Sequence, residues 1–224
     1  SVSVYLKSLS SITWLASDRF RFYLNGRYHV HTLGSKATQT ITLPADAANE
    51  DIHATGAIAF TMGQDLYVRK PGATTDTRIT SDGADGLVNG QSVHRQEYGI
   101  SKGTFWSPDG NLLAFYRMDE RMVTPYYLED IGTKPSTFDK IRYPMAGDSS
   151  HHVSVGVYDL RTGKIVFLRT AEPADQYLTN ITWSPDEQQV YVVHLDRATE
   201  NLKLVGYDAR TGSATTTLPQ EQDP

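Results

Sequence analysis

Two stretches of the chain are near-copies of one another, and this duplication limits the fold more than any other feature. Trp106-Ser107-Pro108-Asp109-Gly110 leads into Leu112-Leu113-Ala114-Phe115-Tyr116, and Trp183-Ser184-Pro185-Asp186-Glu187 leads into Val190-Tyr191-Val192-Val193. Each reads as strand, turn, strand: proline fixes φ in both, Asp-Gly in the first copy suits a tight turn, and the β-branched and aromatic residues beyond favour an extended chain. A second pair repeats downstream, Tyr158-Asp159-Leu160-Arg161-Thr162-Gly163 against Tyr207-Asp208-Ala209-Arg210-Thr211-Gly212, placed for a hairpin between two further strands. Together they define a four-stranded antiparallel meander, and helical periodicity is hard to find anywhere in the chain.

The two copies differ in length. Trp183 and Tyr207 are 24 residues apart, whereas Trp106 and Tyr158 are 52 apart, so the earlier unit carries 28 more. The surplus falls at 121–152, a stretch rich in Pro, Thr, Asp and Tyr without clean alternation, and reads as a long inter-strand excursion of the kind that carries function. Two more degenerate units precede it, around Ile12 to Leu43 and around Ile52 to Thr80. Four units, near 11–44, 51–82, 101–170 and 178–218, fit the period of propeller blades, with the Trp packed between neighbouring sheets. The expected class is all-β, part of a β-propeller with about four blades of four antiparallel strands.

Composition narrows the partners. Net charge is −5, and Lys and Arg never cluster beyond two residues, so nothing suggests a phosphate-neutralising face and nucleic acid is not expected. The absence of Cys excludes disulfides, thiolate zinc sites and a Cys nucleophile. The chain opens Ser1-Val2-Ser3-Val4 with no basic leader and no apolar run long enough for a signal peptide or membrane span, which reads as the start of an excised segment.

The run from Trp106 to Glu120, the downstream Arg142-Tyr143-Pro144-Met145-Ala146-Gly147 leading into His152 to Asp159, and Asp65-Leu66-Tyr67-Val68 upstream resemble the N-terminal propeller of dipeptidyl-peptidase-IV-type serine peptidases, in a bacterial form. The resemblance covers about Asp51 to Leu218. It implies an eight-bladed ring capping an α/β-hydrolase domain whose Ser, Asp and His lie beyond Pro224, so this chain is expected to be non-catalytic. It also implies an exported protein, periplasmic or at the cell surface, that binds no cofactor. In the family a Glu pair on a short segment before one blade holds the substrate's free α-amino group, which restricts cleavage to dipeptides, usually after Pro. The corresponding segment is Val93-His94-Arg95-Gln96-Glu97-Tyr98-Gly99; Glu97 matches the second Glu, and Gln96 stands in place of the first. An amide offers only a neutral acceptor where a carboxylate would give a charge-assisted bond. Arg95 alongside would compete for the carboxylate, and the competing reading of Glu97 is a solvated loop residue. The family's substrate-contacting Arg is not carried over, because the hairpin Tyr23 to Tyr28 is short and Arg27 is poorly placed for it. In the family the blade with the long excursion often contributes to dimerisation, which makes Tyr126, Tyr127, Phe138 and Tyr143 candidate interface residues of a homodimer.

Other patterns invite chemistry the context does not support. Gly99-Ile100-Ser101-Lys102-Gly103 has the Gly-x-Ser-x-Gly spacing of a nucleophile elbow, but a strand entry rather than a helix follows Ser101. His151-His152 and His29-x-His31 lack a third ligand at metal spacing, so no metal is expected and cross-strand or solvated histidines are the simpler reading. Asp119-Glu120 and Glu129-Asp130 are adjacent on strands and point to opposite faces, so they form no acid/base pair; they are placed instead to order the excursion through Arg117 or Arg121. Two functions compete. One is a gating and specificity domain whose partners are the N-terminal segment of peptide substrates and its own hydrolase domain. The other is a free-standing propeller-like scaffold for protein interaction.

Overall fold

The computed structural model describes residues 10–25, 27–36, 38–170 and 173–219. Ser1 to Val4 and Gly26 of the first hairpin, both used in the reading above, lie outside them. The first sheet joins β1 (Ser10–Ala16), β2 (Arg19–Leu24), β3 (Arg27–Thr32) and β4 (Thr38–Ile41) in chain order, and the second joins β5 (Ala47–Ile52), β6 (Ile58–Met62), β7 (Asp65–Arg69) and β8 (Thr77–Arg78). The third contains β9 (Leu87–Asn89), β10 (Thr104–Trp106), β11 (Leu112–Asp119), β14 (His152–Asp159) and β15 (Ile165–Phe167). A detached hairpin, β12 (Pro125–Asp130) with β13 (Thr137–Arg142), projects from that sheet, and the fourth sheet is β16 (Gln176–Trp183), β17 (Gln189–Asp196), β18 (Leu202–Asp208) and β19 (Ala214–Pro219). Every strand pairing is antiparallel, so the chain is all-β and forms part of a propeller.

Strand alternation divides the apolar residues between neighbouring sheets. Leu112, Ala114 and Tyr116 of β11 face the core shared with the fourth sheet, beside Leu178, Val190 and Val192. Leu113 and Phe115 face the core shared with the second, beside Leu66 and Val68. The first sheet has no fully buried side chain among its described residues and joins the second through a smaller cluster that takes in Tyr28 and Ile41.

The duplicated tryptophans stitch successive sheets. Trp106 Nε1–H donates to the carbonyl of Asp51 and Trp183 Nε1–H to that of Phe105, each at 3.0 Å. The acceptors are equivalent, since Asp51 precedes Ile52 at the end of β5 as Phe105 precedes Trp106 at the end of β10. The Asp-x-Arg-Thr-Gly repeats form matching turns: Asp159 Oδ1 accepts from Arg161 and Thr162 N–H, Asp208 Oδ1 accepts from Arg210 and Thr211 N–H, and Gly163 and Gly212 take φ of +72° and +70°.

The excursion has regular structure of its own. It contains two regular strands, paired from Pro125↔Arg142 to Asp130↔Thr137, which the missing alternation did not disclose. The reason is that no residue of either strand is buried and most are exposed, so neither face had to be apolar.

Candidate functional site

The first strand position of the third sheet is split. β9 pairs with β11 at Arg117–Asp119 and β10 pairs with it at Leu113–Phe115, leaving Tyr116 opposite the gap. Gly90 N–H donates to Tyr116 O at 2.8 Å and Tyr116 N–H donates to Gly103 O at 2.9 Å, so both ends of the gap are closed on one residue. Residues 91–102 leave and return through this neck. Glycine is required there: a Cβ on Gly103 would lie 2.3 Å from the backbone of Gln91, and one on Gly90 would lie 2.6 Å from Leu66 Cδ1.

The loop is pinned by its ends and open at its tip. Val93, His94 and Ile100 are buried, whereas Arg95 to Gly99 are exposed. The candidate segment is a short 3-10 stretch, His94–Gly99, wound in the wrong sense for L-residues: His94, Arg95, Gln96 and Tyr98 have φ between +51° and +64°. Each left-handed non-glycine residue costs roughly 1–2 kcal/mol, and such strain is held only where the surroundings impose it. Gln96 N–H donates to Val93 O and Ile100 N–H to Glu97 O, while Thr179 Oγ1–H donates to Tyr98 O from β16.

Gln96 and Glu97 are adjacent on the exposed tip but face different surroundings. Gln96 lines a cleft of about 540 Å³ together with Ser92, Arg95, Glu120, Arg142 and His151. Glu97, extended at φ −70° and ψ 166°, does not line that cleft; its charge reaches Tyr177, whose phenol is raised by burial first and by Tyr98 and Glu97 next. The cleft is mixed in charge. Burial pushes the Glu120 carboxyl up, against the pull of Arg95 and Arg142.

Arg95 does not compete for Glu97 as the sequence suggested. Its guanidinium lies over the Tyr143 ring, 5.1 Å from the centroid, and it makes no ion pair with Glu97. Stacking on the aromatic face replaces the carboxylate contact. That contact also ties the loop to the base of the projecting hairpin, where Arg142 Nη2 is held on Asp85 at 2.9 Å.

The remaining candidates are placed as follows. Ser101 is exposed on the return leg and is followed by β10, so no strand-Ser-helix elbow forms. His29 Nδ1 bonds Thr40 Oγ1 and His31 Nδ1 bonds Thr38 Oγ1, each at 3.1 Å across β3 and β4. Arg121 bridges back to Asp119 at 2.6 Å, at the start of the excursion. Arg27 is exposed at the tip of the β2–β3 hairpin. Tyr126, Tyr127, Phe138 and Tyr143 are all exposed, the first three on the projecting hairpin. His152 is exposed while His151 is buried against His94, at 2.7 Å between Nε2 and Nδ1. Sequence reasoning missed this pair because 57 residues separate its members. No helix among the described residues is long and apolar enough to cross a membrane, which bears only on helices.

Residues 8–224 match the family described as the dipeptidyl peptidase IV (DPP IV) N-terminal region. A putative dipeptidyl aminopeptidase IV from Bacteroides ovatus superposes with a TM-score of 0.81 at 42% identity, over 93% of this chain and 29% of that one. Dipeptidyl peptidase 4 of Porphyromonas gingivalis shares the fold, with a TM-score of 0.70 at 18% identity, over 95% of this chain and 31% of its own. A probable dipeptidyl-aminopeptidase B from Talaromyces stipitatus is 31% identical over 175 residues, 70% of this chain and 19% of that protein. The chain therefore spans less than a third of each of these three proteins, in the part that the family description places at the N-terminal end. On its fold and on a match running nearly end to end, the chain belongs to the dipeptidyl peptidase IV N-terminal region family.

Proposed function

We propose that this chain is the non-catalytic propeller segment of an exported serine dipeptidyl aminopeptidase, periplasmic or held at the cell surface, and that Glu97 with Gln96 reads the free N-terminus of X-Pro peptides. The observation that carries the reading is the placement of these two residues on the exposed tip of a loop that interrupts a strand, passes through a two-glycine neck and is wound against its intrinsic preference. A strained, exposed polar segment on a rigid sheet is the arrangement expected of a recognition element. Glu97 supplies the charge for a substrate ammonium and Gln96 a neutral acceptor. Acyl transfer by the Ser, His and Asp of a hydrolase domain would do the chemistry, with the propeller restricting access.

The test uses the full-length parent and two X-Pro chromogenic substrates, one with a free amine and one N-acetylated. Glu97→Gln should lower kcat/KM for the free-amine substrate about 100-fold, roughly 3 kcal/mol, and leave the blocked substrate unchanged. Equal activity of the two enzymes on the free-amine substrate would place amine recognition elsewhere.

A second reading rests on the β12–β13 hairpin, where Ile131, Phe138 and Tyr127 are 83%, 63% and 60% exposed. An apolar arm of this kind fits a protein partner, either a second copy of the parent or, for a propeller scaffold without peptidase activity, another protein. Tyr127→Glu with Phe138→Glu should lower the oligomeric state of the parent in sedimentation velocity, and an unchanged sedimentation coefficient would dismiss the dimer.

A further inference from the structure

We propose that His94 and His151 are positioning residues: a buried, neutral imidazole pair that holds the left-handed turn carrying Gln96 and Glu97 in the geometry needed to read the substrate amine. The proposal rests on the reading of Glu97 given above.

The turn does not hold itself. Four of its non-glycine residues sit at positive φ, and its internal backbone bonds are Gln96 N–H to Val93 O and Ile100 N–H to Glu97 O. His94 is the one polar side chain that the segment sends into the core, where it is 2% exposed. Leu178 N–H of β16 donates to His94 Nε2 at 3.3 Å, so that nitrogen carries no proton and Nδ1 does. Nδ1–H then donates to His151 Nε2 at 2.7 Å, which places the proton of His151 on its own Nδ1. The His94 ring also meets the Tyr177 ring edge-on at 4.9 Å, and Tyr177 meets Tyr98 at 4.8 Å, so β16 grips the loop at both ends.

This bonding pattern accepts no further proton. A second proton on His94 would sit at Nε2 and face the Leu178 N–H; one on His151 would sit at Nε2 and face the Nδ1–H of His94. The groups around the pair agree. From the loop come Arg95 and Glu97, from β16 and its approach Tyr177 and Asp175, from the turn after β17 Arg197, from β14 His152, and from the cleft Glu120, Lys140 and Arg142. Burial holds His94 down at about 3, with His151 adding to it; burial and then Arg95 hold His151 down at about 4, with only Asp175 opposing. Because both folded values lie below the ordinary 6.5, the pair is at full strength above about pH 6.5 and weakens as the pH falls towards 4. The turn should therefore loosen on mild acidification before the sheets do.

Two readouts in the full-length protein test this: hydrogen exchange of the backbone amides of 95–100, and the ratio of kcat/KM for free-amine over N-acetylated X-Pro substrate. His151→Phe keeps a ring and removes the acceptor; it should speed exchange of 95–100 at least about tenfold without altering the strands and lower the substrate ratio about tenfold or more. His151→Gln restores an acceptor and should recover most of both. Should His151→Phe fail to fold, wild-type exchange corrected for intrinsic rates decides instead, with 95–100 opening between pH 7.5 and pH 5 ahead of β11 and β17. Unchanged exchange at 95–100 in either measurement overturns the proposal. So does a substrate ratio that drops with Glu97→Gln and not with His151→Phe. If Glu97→Gln leaves the ratio alone, the amine reading itself falls, and exchange still decides whether the pair holds the turn.

Discussion

The third and fourth sheets start from the same sequence pattern and treat one position differently. In the fourth, β16 runs unbroken against β17 except for a bulge between Thr179 and Thr182, where Asn180 takes φ of +49° three residues before Trp183. In the third, Gly103 stands three residues before Trp106, and there the strand opens to release residues 91–102. The second sheet repeats the fourth, with a register shift between Ala48 and Asp51 around Asn49 at φ +54°, and the first has one between Ser10 and Thr13, ahead of Trp14. A bulge already leaves one residue unpaired and bends its strand. Lengthening the chain at that point leaves the strand segments on either side paired, so a loop can be added without dismantling the blade.

The neck offers the sharpest way to break the comparison. Gly103→Val places a side chain against the Gln91 backbone, 2.3 Å from the position of its Cβ, and backbone cannot step aside as a flexible side chain could. We expect a loss of about 3 kcal/mol or more, read as a lower urea midpoint of the full-length protein. Asn180→Gly at the equivalent position relieves a left-handed asparagine and should change stability by less than about 1 kcal/mol. If both substitutions had the same effect, the neck would be an ordinary bulge.

Acid sensitivity separates the sheets by the number of buried histidines. The fourth holds His194, bonded to Gln176 Oε1 and Tyr207 Oη at 2.8 Å each and pushed down to about 4 by burial and then by Lys203. Its folded value lies below the ordinary 6.5, so the stability it contributes is complete above that pH and is lost as the pH falls towards 4. At about 1.4 kcal/mol per pH unit, wild type should lose roughly 2 kcal/mol through this residue between pH 6.5 and pH 5. His194→Gln should lose about that much less over the same interval, whatever its stability at pH 7, and parallel pH profiles would show that His194 does not titrate with unfolding. The third sheet keeps its own two-histidine dependence in that variant, which restricts the change to the fourth.

The sequence disclosed the parts governed by local chemistry. Trp106-Ser107-Pro108-Asp109-Gly110 and the Asp-x-Arg-Thr-Gly turns announce strands and tight turns because proline, glycine and side-chain capping act within a few residues. The family resemblance, carried by those motifs, led to Gln96 and Glu97. The hairpin at 125–142 stayed hidden because strands exposed on both faces carry no alternation, and the neck because Gly90 and Gly103 look like ordinary loop glycines until Tyr116 is seen opposite both. His94 and His151 could not be paired from sequence, since their contact depends on how the third and fourth sheets dock.

The smallest expected effect tests what the two sheets have in common. Trp106 and Trp183 make the same inter-sheet bond to equivalent carbonyls, and both indoles are only partly buried. Phenylalanine at either site keeps an aromatic ring in the gap and removes the N–H donor, leaving one carbonyl to find water. Each substitution should therefore cost about 1 kcal/mol, and the two losses should agree within about 0.5 kcal/mol, the spread of net hydrogen-bond contributions. Trp106 adds a tilted contact with His53, at 5.8 Å between ring centres, that Trp183 lacks. A larger loss at Trp106 would assign that contact a role in holding the second sheet to the third. A larger loss at Trp183 would mean that the indole bond carries more at the sheet boundary beneath the loop, because its acceptor Phe105 lies on the strand that receives residues 91–102 back into the sheet.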